Sequence, residues 1–215
     1  MKVITIIVTR NKSCHVKTLH TLLILNMQMA QKQEHNMLAF VEDDPFKISS
    51  LITSSLPNYD RLIFIDYGVG MLSHDDINTV SQSFEPGYHC MVYPGITRDI
   101  NWDMVKDKLT NKIEEPIAQM GSGFDTEVST KIKGYLYKVS STNPKCFVLD
   151  CKGILKSMKD KKNGLIIPSK REEMFNRFIQ RGVKICAHTK AKLTIFYQYE
   201  SLGNLSRSFG VSQRT

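Results

Sequence analysis

The N-terminal apolar run at residues 3–8 is far too short to cross a bilayer as a helix, which takes about 20 residues. Met1 and Lys2 lead straight into that run, without the cleavage region of a signal peptide. These absences give the expectation of a soluble protein that is not secreted, that acts in the cytoplasm and that has no stable membrane insertion. Cysteine is sparse and irregular: Cys14, Cys90, Cys146, Cys151 and Cys186 are odd in number and form no C-x-x-C pair. A disulfide framework and a structural zinc site are thereby disfavoured, and reduced thiols are expected. There is no aromatic RNP-like motif, no zinc-finger spacing, no internal repeat and no low-complexity block.

What the chain does have is enough apolar material for one large domain: 41% of its 215 residues are hydrophobic. Lysine and arginine outnumber aspartate and glutamate by 29 to 21, for a formal charge of +8. A basic balance of this kind favours an anionic partner such as a nucleotide phosphate, a nucleic acid or an acidic surface.

Periodicity supplies the architecture. Residues 3–9, 36–41 and 59–66 read as strands, with helices over 15–31 and 45–55 between them. In the first helix Leu19, Leu22, Leu23, Met27 and Ala30 are expected to face the core. Ser73 and the acids after it open a third helix that runs to about Phe84, and residues 88–93 form a fourth strand. Parallel strands need crossover connections, so this alternation predicts an α/β fold with a mostly parallel central sheet flanked by helices. After a short helix at 101–109 the pattern changes. A loop rich in glycine and acids spans 115–127, and strands are expected at 134–139, 145–150 and 183–187, with a helix at 169–180. The lysine-rich stretch 152–162 reads as a solvated face, and the polar tail 201–215 as an extension or linker.

In open α/β sheets, ligands bind outside the carboxyl ends of the strands. Asp66 ends the most strand-like run in the chain, and Asp43 and Asp44 follow the strand before it. Asp66 suits a metal ligand at a diphosphate, or a turn before Gly68. Asp43 or Asp44 suits a base or ribose, although Asp44 before Pro45 is also a helix cap. Thr9, Arg10 and Asn11 leave the first strand toward the same cleft, Arg10 being the strongest phosphate or base ligand. Asp125 and Glu127 alternate and would address one substrate if extended, or one of them caps a helix. Asp150 binds a sugar hydroxyl or ends a strand. His188 completes a metal site or is structural.

Three sets of residues carry a resemblance: 8–11 (VTRN), 42–44 (EDD) and 64–68 (FIDYG). Their order is similar to that of glycosyltransferases with the A-type nucleotide-sugar fold (GT-A), where the third set takes the place of the Asp-X-Asp metal motif. Residues 93–95 (YPG), 100–103 (INWD) and 115–128 (EPIAQMGSGFDTEV) resemble the glycosyltransferase domains of large DNA viruses of algae, including chloroviruses that glycosylate their capsid protein. The resemblance spans residues 1–200 and implies a nucleotide-binding half at 1–100 and an acceptor and metal half at 101–200. It implies transfer of a hexose from a UDP-sugar donor, UDP-glucose or a relative, to a glycan or glycoprotein acceptor such as a viral capsid protein. In that reading Thr9, Arg10, Asn11, Asp43, Asp44 and Asp66 bind the donor. Asp66 and His188 hold Mn²⁺ or Mg²⁺, and Asp125, Glu127 and Asp150 are the catalytic candidates. The sequence departs from the motif at Gly68, where the second aspartate would stand. Two rivals remain. A nucleotidyltransferase would share the α/β start, yet 9–12 (TRNK) has no glycine for its phosphate loop. A basic nucleic-acid-binding module would explain the charge, but the chain has no RNP-like motif or zinc-finger spacing.

Overall fold

The computed structural model describes residues 1–71, 73–82, 85–97, 100–113, 120–160, 164–165 and 167–195. Residues 115–119 of the glycine-bearing loop, Phe84, Lys161, Lys162 and the 201–215 tail lie outside them. The chain opens as expected: β1 (Lys2–Thr9), α1 (Val16–Gln31), β2 (His35–Glu42), α2 (Pro45–Ser55) and β3 (Arg61–Ile65). The short β4 (Val69–Met71), α3 (His74–Ser81), β5 (Cys90–Val92) and α4 (Trp102–Thr110) follow. A hairpin of β6 (Thr126–Lys133) and β7 (Leu136–Thr142) leads to β8 (Cys146–Asp150) and α5 (Cys151–Met158). The minor pair β9 (Lys159–Asp160) and β10 (Gly164–Leu165) precedes α6 (Arg171–Gln180), β11 (Ile185–His188) and β12 (Leu193–Ile195).

Eight strands form one sheet in the order β2-β1-β3-β8-β5-β11-β7-β6. β2, β1 and β3 are parallel neighbours, as are β5 and β11. β8 runs antiparallel between β3 and β5, and β7 runs antiparallel to both β11 and β6. The dominant strand direction is therefore the expected one, with two reversed strands set into it. The second-half strand β8 is inserted between the first-half strands β3 and β5, so both halves of the chain share this one sheet.

Both faces are covered. On one, α2, α5 and α6 bring Ile52, Leu56, Ile154, Met174, Phe175 and Phe178 onto Ile6, Val8, Phe64 and Phe147. On the other, α1 and α3 bring Leu22, Leu25, Met29, Ile77 and Val80 onto Val3, Ile7, Ile63 and Val148. Successive strand residues point to opposite faces, which is why Ile63 and Phe64 belong to different cores.

Helix α1 departs from the expected phase. Leu22 is buried, but Leu19, Leu23, Met27 and Ala30 are exposed, and Thr18 and Thr21 lie inside. The reason is polar: Thr18 Oγ1 donates to the Val69 carbonyl at 2.7 Å, and Thr21 Oγ1 accepts from the Met71 amide at 2.8 Å. These bonds satisfy β4 backbone groups that are buried against the helix. Among the described residues no helix is long and apolar enough to cross a membrane.

The ring pair Phe64–Phe147 stacks at 4.7 Å across the β3–β8 junction, and Phe175 meets Phe147 edge-on at 5.2 Å. Phe147→Ala empties this junction and is expected to cost about 3–5 kcal/mol in urea denaturation.

Candidate functional site

Where β1 ends, Arg10 and Ser13 exchange backbone hydrogen bonds around Asn11 and Lys12, both left-handed at φ 49° and 58°. This tight turn holds the Arg10 side chain over the sheet edge. Its Nε donates to Asp43 Oδ2 at 2.7 Å, and its guanidinium carbon stands 5.0 Å from the centre of the Tyr67 ring. Asp43 and Arg10, both expected at the donor site, therefore meet. Their neighbours have other work: Thr9 Oγ1 donates to the Val41 carbonyl, Asn11 forms the turn, and Asp44 caps α2 by accepting from the Phe46 and Lys47 amides.

Asp66 lies at the end of β3, 4% exposed. Its Oδ1 accepts from the Tyr67 amide at 2.8 Å and its Oδ2 from Arg171 Nη1 at 3.1 Å. Arg171 also donates to the Pro144 carbonyl at 3.2 Å and stacks over Phe64 with 5.1 Å to the ring centre. Between Asp43 and Arg171 opens a small cavity of about 90 Å³, floored by Phe64 and Phe147 and walled by Pro45, Ile48 and Pro168.

β8 enters this edge in reverse, so Pro144 and Lys145, just before it, sit at the carboxyl edge of its neighbours. The Lys145 carbonyl accepts from the Asp66 amide at 2.9 Å. Its Nζ donates to the Ile96 carbonyl at 2.9 Å and lies 3.7 Å from Asp125 Oδ2. Asp125 is enclosed: Oδ1 accepts from the Gly95 amide and from Thr126 Oγ1, each at 3.0 Å. Burial pushes its carboxyl above the ordinary value of 3.8, against the Gly95 amide, Lys145 and Thr126, which favour the anion. Asp125 and Glu127 line one concavity of about 320 Å³ with Asn143, Glu172 and Asn176. Phe124, 69% exposed, lines this concavity and an apolar one of about 390 Å³ made with Pro94, Ile96, Val128 and Leu193.

Two expected residues are elsewhere. Because β8 is reversed, Asp150 pairs in register with Arg61 at the start of β3, five residues or roughly 16 Å from Asp66. There it caps α5, its Oδ2 accepting from the Gly153 amide at 3.1 Å. His188 ends β11, and β8 and β5 intervene between β11 and β3, a separation of roughly 14 Å. It cannot share an ion with Asp66, and it packs instead beside Tyr93 and Tyr135. Desolvation, helped by Lys190, holds its pKa below 6.5.

Mn²⁺ and Mg²⁺ are hard ions that need oxygen ligands at about 2.0–2.2 Å in a near-octahedral set. Both Asp66 oxygens are engaged, the second motif position is Gly68 in a left-handed turn (φ 74°), and an L-aspartate there would be strained. Among the described residues no three His, Cys, Asp or Glu side chains gather as a metal group. A divalent ion at this edge would compete for Asp66 with the ion pair the carboxylate already makes. A cation already stands against Asp66, and it is Arg171.

Lys145 and Arg171 are absent from the sequence reading. Arg171 had a signal: Lys170 and Arg171 open α6, where the helix dipole disfavours positive charge. Glu172 and Glu173 in the same turn offset that charge, so the signal is faint.

Fold and site together define an α/β protein whose strand ends converge on paired arginine and carboxylate groups. No protein-family model matches the chain, and no curated protein matches it. Among solved structures, the catalytic domain of Drosophila β1,4-galactosyltransferase 7 in complex with xylobiose is similar at 10% identity, covering 92% of this chain and 71% of that one, with a TM-score of 0.49. CMP:2-keto-3-deoxy-manno-octonic acid synthetase complexed with CTP is similar at 9% identity, 98% and 99% coverage and a TM-score of 0.49. The inositol-1-phosphate CTP transferase from T. maritima is similar at 8% identity, 99% and 98% coverage and a TM-score of 0.47.

Asp150→Ala is expected to lower stability by about 1 kcal/mol through loss of the cap, and to leave ligand binding at the carboxyl edge unchanged in titration calorimetry. The depressed pKa of His188 means that the fold favours the neutral ring. Stability is then full above pH 6.5 and is lost as pH falls toward the lower folded value. His188→Gln is expected to flatten the thermal-melt profile over that window relative to the parent chain.

Proposed function

We propose that this chain is a nucleotide-dependent transferase, and that it moves a hexose from a UDP-linked donor to a hydroxyl of a glycan or glycoprotein acceptor. The observation that carries the reading is the convergence, on one sheet edge, of an anion-receptive pair of arginines and a buried carboxylate. Arg171 and Asp43 line the small cavity, and Arg10 reaches its rim through Asp43, whose carboxylate suits a base or ribose. Asp125 lies further along the same edge, tied to Asp66 through Lys145. In the transfer, the bond from the anomeric carbon to the diphosphate oxygen breaks and its electron pair leaves with the diphosphate. The acceptor oxygen bonds to that carbon and gives up its proton. A positioned base takes that proton in an inverting reaction, and Asp125 is suited to it because burial raises its basicity. Glu127, on the same concavity, contacts the acceptor in this reading. The exposed Phe124 ring offers an apolar face on which a sugar ring can stack. A viral capsid protein is the acceptor that the sequence resemblance suggests.

A ligand that binds only the folded state raises its melting temperature. UDP and UDP-sugars are expected to do so more than ATP or GDP, and no shift with any nucleotide, with or without Mn²⁺, overturns the reading. Release of nucleoside diphosphate identifies sugar transfer, whereas release of pyrophosphate identifies nucleotidyl transfer. Asp125→Asn is expected to slow transfer by about 10²–10⁴-fold while leaving the UDP shift in place. In the parent chain kcat/KM is expected to rise with pH through a value above the ordinary 3.8 of an aspartate, as the base form accumulates.

A further inference from the structure

Arg10 and Arg171 are held in the same way. Each guanidinium rests on an aromatic face, Tyr67 or Phe64, and each donates to one carboxylate, Asp43 or Asp66. Arg10 uses only Nε on its carboxylate, and Arg171 uses only Nη1 on Asp66 and the Pro144 carbonyl. Among the described residues no side-chain or backbone acceptor takes the two Nη groups of Arg10 or the Nε and Nη2 of Arg171. A ring on one side and a carboxylate at one corner fix the plane of each fork and leave its other N–H groups directed away from the protein's own acceptors. Planar forks of this kind match phosphate oxygens two at a time.

We propose that Arg171 and Arg10 together bind the diphosphate of the donor in the place where a divalent ion would otherwise stand, so that nucleotide binding at this edge needs no metal. The inference rests on the nucleotide-donor reading given above. Asp66 then has a different role from a metal ligand: it positions Arg171. Gly68 is consistent with this arrangement, because a second metal-binding aspartate has no function where side-chain N–H groups hold the phosphates. Lys145 adds a third cation at the edge, held against Asp125.

The test measures binding of UDP and of inorganic pyrophosphate to the full chain by titration calorimetry, in excess EDTA and in Mn²⁺. Binding in EDTA that Mn²⁺ strengthens by no more than about twofold is expected, since charge-assisted hydrogen bonds carry it. Arg171→Met is expected to weaken metal-free UDP binding by about 10- to 100-fold, and Arg171→Lys to restore part of it. Should Arg171→Met fail to fold, Arg10→Met reads the same fork from a more exposed position and is expected to weaken binding as well. Asp66→Asn discriminates further: its amide oxygen can still accept from Arg171, so metal-free binding is expected to weaken less than in Arg171→Met. UDP binding that appears only with Mn²⁺ and vanishes in Asp66→Asn overturns this proposal while leaving the donor reading intact. Absence of UDP binding under both conditions overturns both. Full metal-free binding by Arg171→Met or Arg10→Met overturns the arginine assignment alone.

Discussion

The direction of one strand governs the site. β8 lies in the middle of the sheet and runs against both its neighbours. Its first residues therefore meet the last residues of β3 and β5, and its final residue meets their beginnings. Pro144 and Lys145 become the joint of the carboxyl edge: one backbone carbonyl takes the Arg171 guanidinium, the next takes the Asp66 amide, and the lysine side chain reaches the Asp125 carboxylate. If β8 were parallel, those two residues would lie at the far edge, and Asp66 and Asp125 would have nothing in common.

Charge at this edge is balanced rather than simply positive. Each arginine has a carboxylate and Lys145 has Asp125, so the chain's excess positive charge does not sit in the cleft unopposed. Buried or half-buried ions survive only when paired, and the pairing here also sets direction. The acids stabilise the cations without occupying all their donors. The aromatic faces supply the rest of the support, and Phe64 ties this support to the core through Phe147 and Phe175.

The sequence made the first five elements and the acids at two strand ends legible, because those features are local: apolar period, proline after a cap, aspartate at the end of an apolar run. Arg10 and Asp43, which the structure brings together, were singled out for the same reason. What could not be read was anything decided by strand order. Asp150 and Asp66 look alike in sequence, each closing an apolar run, and only the reversal of β8 sends one to the cleft and the other to a helix cap. His188 looks like a rim ligand until two strands intervene. In α1 the apolar spacing pointed to Leu19 and Leu23. The hydrogen-bonding demand of β4, a strand too short to announce itself, turned the threonines inward instead. The strand Thr126–Lys133 was missed because it is mostly exposed and carries little apolar signal.

The placement of β8 also sets the order in which the molecule can be completed during synthesis. β1, β2 and β3 can pair as soon as they emerge, but the partner for the open side of β3 comes only after β4, α3, β5, α4, β6 and β7 have been made. Until then Leu62, Ile63 and Phe64 form an apolar edge with unsatisfied backbone groups, the kind of surface that recruits other chains. The growing polypeptide must keep that edge sheltered, and its solubility during translation depends on how quickly residues 146–150 arrive to close it.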